Sequence, residues 1–329
     1  MKSYSSLTRQ IAWTFAALCL IAASAQADVL HGVGNIGDGG GTASALKYPG
    51  MLASERGINF GPGFSYVFAN GGADSFSVLQ PGDQVDQLVA AVQAGDVTLA
   101  LMTIGDNDWF DVAGPIATGA MTGVPLQNFQ NSIVNNITTA VNSVLGAGGS
   151  VVLGGFSNIT DAPAAAAIYA NPVWRANLEA ALSDANDQLI AYAASVGIPY
   201  INFFGLEKAV YDSGSFVVGG VNISLTTTGP DPHNFFQDSV NAGTVIRGEI
   251  ANLWLQGMNE GYGTNIPLLS DLEILTLAGI GNEFVEETFA PATNFGDYTE
   301  FVPEPSSVTL FGIGLVALVW RGLRRRGRR

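Results

Sequence analysis

Residues 97–109 have the sequence VTLALMTIGDNDW, in which an apolar run ends in a polar turn. The run from Val97 to Met102 is typical of a strand that a parallel sheet buries on both faces. Similar runs predict strands at 64–68, 151–153 and 199–204. Amphipathic stretches between them predict helices at about 85–94, 129–145, 173–196 and 239–258. Alternating strands and helices form a parallel sheet that helices cover, so we expect a three-layer α/β domain.

The candidate site lies where the predicted strands end, because open α/β sheets bind ligands beyond the carboxyl ends of their strands. Asn107 lies in the turn GDND that follows the run at 97–102, and Gly71 follows the run at 64–68. A glycine N–H and an asparagine amide at two strand ends can donate hydrogen bonds to one oxyanion. Simple turns explain both segments equally well, so this alternative stays open.

A third polar segment, FQDSVN at 236–241, contains Asp238. In their order and spacing, the three segments resemble the blocks of the SGNH, or GDSL-like, hydrolases over most of residues 28–280. The resemblance implies a flavodoxin-like three-layer fold and a cofactor-independent esterase that acts on acyl or acetyl esters of lipids or surface polysaccharide. It also implies that Gly71 and Asn107 form an oxyanion hole, and that Asp238 orients a histidine base.

Two positions depart from the pattern of that family. Its nucleophilic serine lies in a Gly-Asp-Ser-Leu block after the first strand, and alignment on residues 33–35 places Val29 at the serine position. The first strand is then missing or replaced, since the N-terminal signal occupies its place. Asn241 stands where the family has its histidine. Valine has no nucleophilic atom and an amide cannot act as a general base, so we predict an impaired ester hydrolase. The alternative is a non-catalytic surface or extracellular-matrix protein with the same fold.

Other side chains could replace the missing groups. His233 is a candidate for a displaced base, and His31 is a weaker one. Ser75 and Ser239 could be proposed as nucleophiles, but turn or cap hydroxyls explain them better. We therefore retain only His233 as an alternative catalytic residue.

No motif predicts a metal or phosphate site. Asp106, Asp108 and Asp111 are spaced like calcium ligands but lack the later bidentate glutamate, so a solvated acidic loop is the better explanation. The glycine run at 37–41 lacks a lysine and follows no predicted strand, which argues against a phosphate loop. The only cysteine, Cys19, lies in the N-terminal apolar run. We expect neither a metal nor a cofactor.

Both ends of the chain have the composition of sorting signals. Residues 1–27 have a basic start, an apolar run and a small-x-small cleavage site, so they predict a secretory signal peptide; an uncleaved anchor is the alternative. Pro303, Glu304 and Pro305 precede an apolar run at 308–320 and a terminal arginine cluster. This arrangement at 302–329 resembles the PEP-CTERM sorting signal of Gram-negative bacteria; an ordinary tail anchor is the alternative.

The sorting-signal resemblance implies exosortase and the export machinery as partners. It further implies that the C-terminal helix holds the chain transiently in the inner membrane before release to the cell surface or extracellular matrix. The division of the chain is then a domain at 28–290, a linker at 291–301 and the sorting signal.

The charge of the chain is distributed unevenly. The net charge is −15, yet most basic residues lie in the two terminal segments. Residues 28–302 contain five basic and 27 acidic residues, a net charge of about −22. A domain this acidic repels phosphate backbones, which argues against a nucleic-acid partner.

Overall fold

The computed structural model describes residues 30–38, 44–168, 170–286 and 299–300. The predicted signal peptide and sorting signal lie outside the described residues. Within the described ranges, no helix combines the length and the apolar character that a membrane crossing requires.

A parallel sheet forms the centre of the molecule. Its neighbouring strands are β1 (Val33–Gly37), β2 (Leu99–Thr103), β3 (Ser150–Gly154) and β4 (Tyr200–Ile201). All three contacts between these strands are parallel. A short strand, Thr299–Glu300, pairs antiparallel with β4 at the edge. The predicted strands at 97–102 and 151–153 are thus confirmed, with shifted ends. The predicted strand at 199–204 is reduced to Tyr200–Ile201, because a helix begins at Phe203.

The outer side of β1 pairs with the segment around Val67. Val67 forms a parallel bridge to Asn35, whose N–H donates to the Tyr66 carbonyl over 3.0 Å. Numbered by their order in the chain, β1 is segment 1, the segment at Val67 is segment 2, and β2, β3 and β4 are segments 3 to 5. Across the sheet these segments lie in the order 2-1-3-4-5, which is the flavodoxin-like arrangement. The predicted strand at 64–68 is reduced to this bridge, because residues 62–64 form a 3-10 turn in which Phe64 has a φ of 63°.

The first strand is present, which corrects the expectation that it is missing or replaced. Every residue of β1 is buried, although its sequence is only VGNIG. Gly34 is needed there, because a Cβ at this position would lie 2.5 Å from Leu88 Cδ1. The helix that contains Leu88 packs so closely on β1 that glycine occupies position 34. Because of this glycine, β1 lacks the continuous apolar pattern that predicts a buried strand.

Helices cover both faces of the sheet. They are α1 (Tyr48–Arg56), α2 (Gln84–Ala94), α3 (Asp106–Ala117), α4 (Val124–Gly146), α5 (Pro163–Ile168), α6 (Pro172–Val196), α7 (Phe203–Ser213), α8 (Thr244–Tyr262) and α9 (Asp271–Leu277). Ala100 and Met102 pack in one core with α2, α4 and α6. Leu99 and Leu101 pack in a second core with α1, α8 and α9. This alternation along β2 confirms the predicted three layers.

A smaller sheet lies next to the segment 236–241, which begins at the last residue of its third strand. It contains β5 (Phe216–Val218), β6 (Val221–Thr228) and β7 (Asn234–Phe236). A bridge from Phe236 to Ala242 and a 2.9 Å hydrogen bond from the Gln237 N–H to the Asn241 carbonyl close the turn that follows. This turn delays the last long helix, α8, which begins at Thr244 rather than at the predicted 239.

Candidate active-site cavity

A cavity of about 280 Å³ opens at the carboxyl ends of the parallel strands. The described residues that line it come from the ends of β1 to β4, from the glycine turn and from the turn after β7. They are Asp38, Gly71, Gly72, Asp106, Asn107, Phe110, Ser157, Asn158, Ile159, Ala162, Glu207, Phe236, Val240 and Asn241. Three of the sequence-predicted positions, Gly71, Asn107 and Asn241, therefore face one space.

The turn after β2 brings Asn107 to the cavity. Gly105 has a φ of 117°, and a Cβ there would collide with the ring of Phe156. The tight turn lets α3 begin at Asp106, directly after the sheet edge. The Asn107 side chain donates to the Ala73 carbonyl over 2.8 Å, which ties α3 to the turn that carries Gly71. This hydrogen bond joins Asn107 to Ala73, two residues after Gly71 in the same turn.

Asp238 and Asn241 form a dyad. Asn241 Nδ2 donates to Asp238 Oδ2 over 2.9 Å, and the Asn241 N–H donates to Asp238 Oδ1 over 2.7 Å. Burial alone would raise the pKa of Asp238, but hydrogen bonds from the Val240 and Asn241 N–H groups outweigh it and lower the pKa. A carboxylate with a lowered pKa therefore orients the amide of Asn241.

The end of β1 offers a second candidate for the position of a nucleophile. Val29 lies outside the described residues and comes before β1 in the chain, whereas the family serine comes after the first strand. In the sequence β1 is followed by Asp38 and Gly39, so Gly39 is a second position onto which the serine of a Gly-Asp-Ser block can be aligned. Gly39 also lies outside the described residues. Neither Gly39 nor Val29 has a side-chain hydroxyl.

Two carboxyl groups line the cavity beside the dyad. The consecutive N–H groups of Ser157 and Asn158 donate to Asp106 Oδ1 over 3.0 Å and to Glu207 Oε2 over 2.6 Å. Burial and the nearby charge of Asp38 raise the pKa of Asp106 to about 7. Burial and the charge of Asp106 raise the pKa of Glu207 to about 8. Sequence reasoning missed Glu207, because it lies on α7 outside any motif and only the fold places it in the cavity.

The structure places the four replacement candidates away from the cavity lining. His233 lies between two carboxylates, with Nδ1 2.7 Å from Asp231 and Nε2 2.9 Å from Glu283. Ser75 is buried, and its hydroxyl donates to Asp108 Oδ1 over 2.8 Å. His31 and Ser239 are exposed on the surface. None of the four is among the residues that line this cavity.

The aspartates after β2 do not converge on a common point. Ser75 donates to both oxygens of Asp108, through its N–H and its hydroxyl, whereas Asp106 accepts from Ser157. Among the described residues, no group of three or more histidine, cysteine, aspartate or glutamate side chains is arranged to hold a metal ion. The alternative of a calcium loop at 106–111 therefore gains no support.

Comparison with known proteins identifies the C-terminal signal. The family model of the PEP-CTERM protein-sorting motif matches residues 301–326, which confirms the predicted sorting signal. No curated protein matches the chain in sequence.

Three solved structures have similar folds. An extracellular lipase from Streptomyces rimosus is 16% identical, with a TM-score of 0.46, over 70% of this chain and 98% of the lipase. A protein from Slackia heliotrinireducens described as an SGNH hydrolase is 15% identical, with a TM-score of 0.44, over 69% of this chain and 97% of its own. A protein from Bacteroides fragilis described as an acylhydrolase is 16% identical, with a TM-score of 0.40, over 70% and 87% of the two chains.

Proposed function

We propose that this chain is an exported SGNH-hydrolase-like protein that binds a ligand in the cavity at the carboxyl ends of its strands but lacks serine-dependent ester hydrolysis. The hydrogen bond from Asn241 Nδ2 to Asp238 Oδ2 carries the proposal. In this proposal Asp238 still orients the side chain at position 241, but that side chain is an amide instead of a basic imidazole. In this proposal Gly71 and Asn107 are the oxyanion donors beside the cavity, and Asp238 is the orienting carboxylate.

The chemistry of the substitution explains the expected loss. The base of a serine hydrolase must accept the serine proton and later return it to the leaving group. The nitrogen of an asparagine amide carries two hydrogens, and its lone pair is delocalised into the carbonyl, so it cannot accept the proton of a serine. Neither Gly39 nor Val29 offers a side-chain oxygen to deprotonate. Loss of one such group lowers turnover by about 10⁴- to 10⁶-fold, and loss of both leaves only what the oxyanion donors and binding supply.

The destination of the protein follows from its two ends. The match at 301–326 supports recognition by exosortase-type machinery. In this proposal residues 1–27 direct export, and the apolar run at 308–320 holds the chain in the inner membrane of a Gram-negative bacterium. The domain at 28–290 is then presented at the cell surface or in the extracellular matrix.

A second candidate is a residual ester hydrolase that uses water directly. Asp106 favours it, because a carboxyl group with a pKa of about 7 lines the same cavity as Gly71 and Asn107. Ionised Asp106 could take a proton from water as the resulting hydroxide attacks an ester carbonyl. Hydrolysis by this route would increase as the pH rises through about 7.

An esterase assay on the full chain separates the two candidates. With p-nitrophenyl acetate and longer acyl esters, we expect no turnover above the buffer rate at any pH between about 6 and 9. Turnover that disappears in Asn107→Ala would overturn the non-catalytic proposal. If that turnover also disappears in Asp106→Asn, the water-activating hydrolase is the correct candidate.

A further inference from the structure

The short strand Thr299–Glu300 fixes the direction in which the chain leaves the domain. Thr299 pairs with Ile201 and Glu300 pairs with Tyr200, so this strand runs opposite to β4. The parallel strands run toward the end of the sheet at which the cavity opens. At Glu300 the chain is therefore directed toward the amino ends of the parallel strands, away from the cavity.

The segment between this strand and the predicted membrane run is short. It consists of the seven residues 301–307, which span at most about 25 Å when fully extended. A globular domain of about 260 residues has a radius of gyration of about 18 Å, and hence a diameter of about 45 Å. A tether that starts at the amino ends of the strands is thus too short to turn the opposite end of the domain toward the bilayer.

The two ends of the sheet also differ in charge. Five turns at the amino ends connect or flank the helices and strands, namely 57–59, 95–98, 147–149, 197–199 and 263–265. Asp96 is the one acidic residue in these turns, and the last turns of the helices that precede them add Glu55, Arg56 and Glu260. Acidic residues are much more frequent in the segments that follow the strands, where they are Asp38, Asp74, Asp106, Asp108, Asp161, Glu207 and Asp238.

This difference in charge favours the same orientation as the tether. A membrane that contains anionic lipids has a negative surface potential, which repels a dense group of carboxylates. The amino-end turns carry little of the negative charge of the domain, so they approach such a surface at a lower electrostatic cost than the cavity end does.

We infer that the domain lies on the membrane with the amino ends of its parallel strands toward the bilayer and its cavity toward the aqueous phase. The inference rests on the proposed function, in which the apolar run at 308–320 holds the chain in the membrane. It assigns the amino-end turns to a lipid surface. It also means that the cavity takes its ligand from solution and not from the bilayer beneath the domain.

Fluorescence quenching on vesicles tests this orientation. The full chain, with Cys19→Ser, is reconstituted into phosphatidylethanolamine and phosphatidylglycerol vesicles that carry nitroxides on some of the headgroups. Ser195→Cys places a bimane label in the last turn of α6, at the amino ends, and Ser239→Cys places it next to Val240 of the cavity lining. Both serines are exposed, so the two substitutions form a matched pair.

The label at position 195 should lose about half of its intensity or more, because the tether holds that end near the headgroups. The label at position 239 should remain close to its intensity on the same vesicles without nitroxide. Equal quenching at the two positions, or stronger quenching at position 239, would overturn the inferred orientation.

Flotation of the vesicles on a density gradient measures the membrane hold separately. A chain that does not float with the vesicles would overturn the membrane hold of the proposed function, and this inference with it. A chain that floats but shows the opposite order of quenching would overturn the orientation alone. Neither result would alter the expected outcome of the esterase assay.

Discussion

Asn241 is the residue that we propose in place of the general base, and a substitution can introduce a histidine there. In Asn241→His the imidazole would take the place of the amide against Asp238. Alone, this variant should remain inactive toward p-nitrophenyl acetate, because the residue after Asp38 is a glycine and offers no hydroxyl. Adding Gly39→Ser should produce turnover, and the histidine should contribute about 10²- to 10⁴-fold over Gly39→Ser alone.

The matched control for this pair is Val29→Ser with Asn241→His. It places a serine at the position that sequence alignment alone selects, before β1 instead of after it. We expect this control to remain inactive. Equal turnover from both double variants would mean that the serine position does not depend on β1, and activity of Asn241→His alone would reveal a different nucleophile.

Gly105 controls the geometry of the cavity through its backbone. Its positive φ and its contact with the Phe156 ring both oppose a side chain. Gly105→Ala should lower the free energy of unfolding in urea by about 2–4 kcal/mol, since strain and overpacking add. Gly119→Ala is the control, because Gly119 also has a positive φ but a Cβ there meets open space. An equal loss in both variants would show that the Phe156 contact has no energetic weight.

The sequence blocks, together with the family resemblance, predicted part of this site. Asn107 and Asn241 stood out because their neighbours in sequence form recognisable polar blocks, and the structure places both at the cavity. Glu207 could not be found in this way, since burial and the charge of Asp106, not its sequence neighbours, raise its pKa. Gly39 was not considered as the serine position, because that alignment depends on where β1 ends.

At the scale of elements, continuous apolar or amphipathic patterns were reliable guides. Strand β2 and helix α6 lie close to their predicted ranges, because each has an uninterrupted pattern of buried residues. Strand β1 was missed because Gly34 and Gly37 interrupt its pattern. The sheet of β5 to β7 was also missed, since half of β6 is exposed and carries a run of threonines.

His233 links two elements near the C-terminal end of the described domain. Its ring contacts Glu283 in the 3-10 turn 281–283 and Asp231 before β7, and hydrogen bonds to Glu283 and then Asp231 raise its pKa. The link therefore stabilises the fold fully below the unfolded pKa of about 6.5 and is lost as the pH rises through the higher folded value. The effect should be small, because the groups are solvent-exposed.

Thermal unfolding between about pH 5.5 and pH 9 tests the link. The difference in Tm between the wild type and His233→Gln should be largest at the acidic end and should shrink as the pH rises. His31→Gln, at an exposed position remote in sequence, is the control. A difference that grows with pH would contradict the assignment of an imidazolium at position 233.

At the scale of the whole molecule, the unequal charge distribution has a structural consequence. The terminal signals carry most of the cations, so the domain between them is strongly acidic. Within it the cavity concentrates three carboxyl groups, and two of them are expected to retain protons near neutral pH. Burying these carboxyl groups together lowers the free energy of unfolding at neutral pH. The unfolded chain can release their protons there, whereas the folded protein retains them.

The free energy of unfolding should therefore fall as the pH rises from about 4 to about 8. Below about pH 4 the carboxyl groups of Asp106 and Glu207 are protonated in both the folded and the unfolded state. Above that pH they ionise first in the unfolded chain, which stabilises the unfolded state. The loss of stability ends when the two groups also ionise in the folded state, near pH 7 and pH 8.

The double variant Asp106→Asn, Glu207→Gln keeps acceptors for the Ser157 and Asn158 N–H groups and removes the titration. It should be more stable than the wild type at pH 8 by a few kcal/mol, and its urea unfolding curves should depend less on pH. Asp212→Asn, at an exposed carboxylate, is the control and should retain the wild-type slope. Parallel pH profiles for the wild type and the double variant would show that these two carboxyls are ionised in the folded cavity at neutral pH.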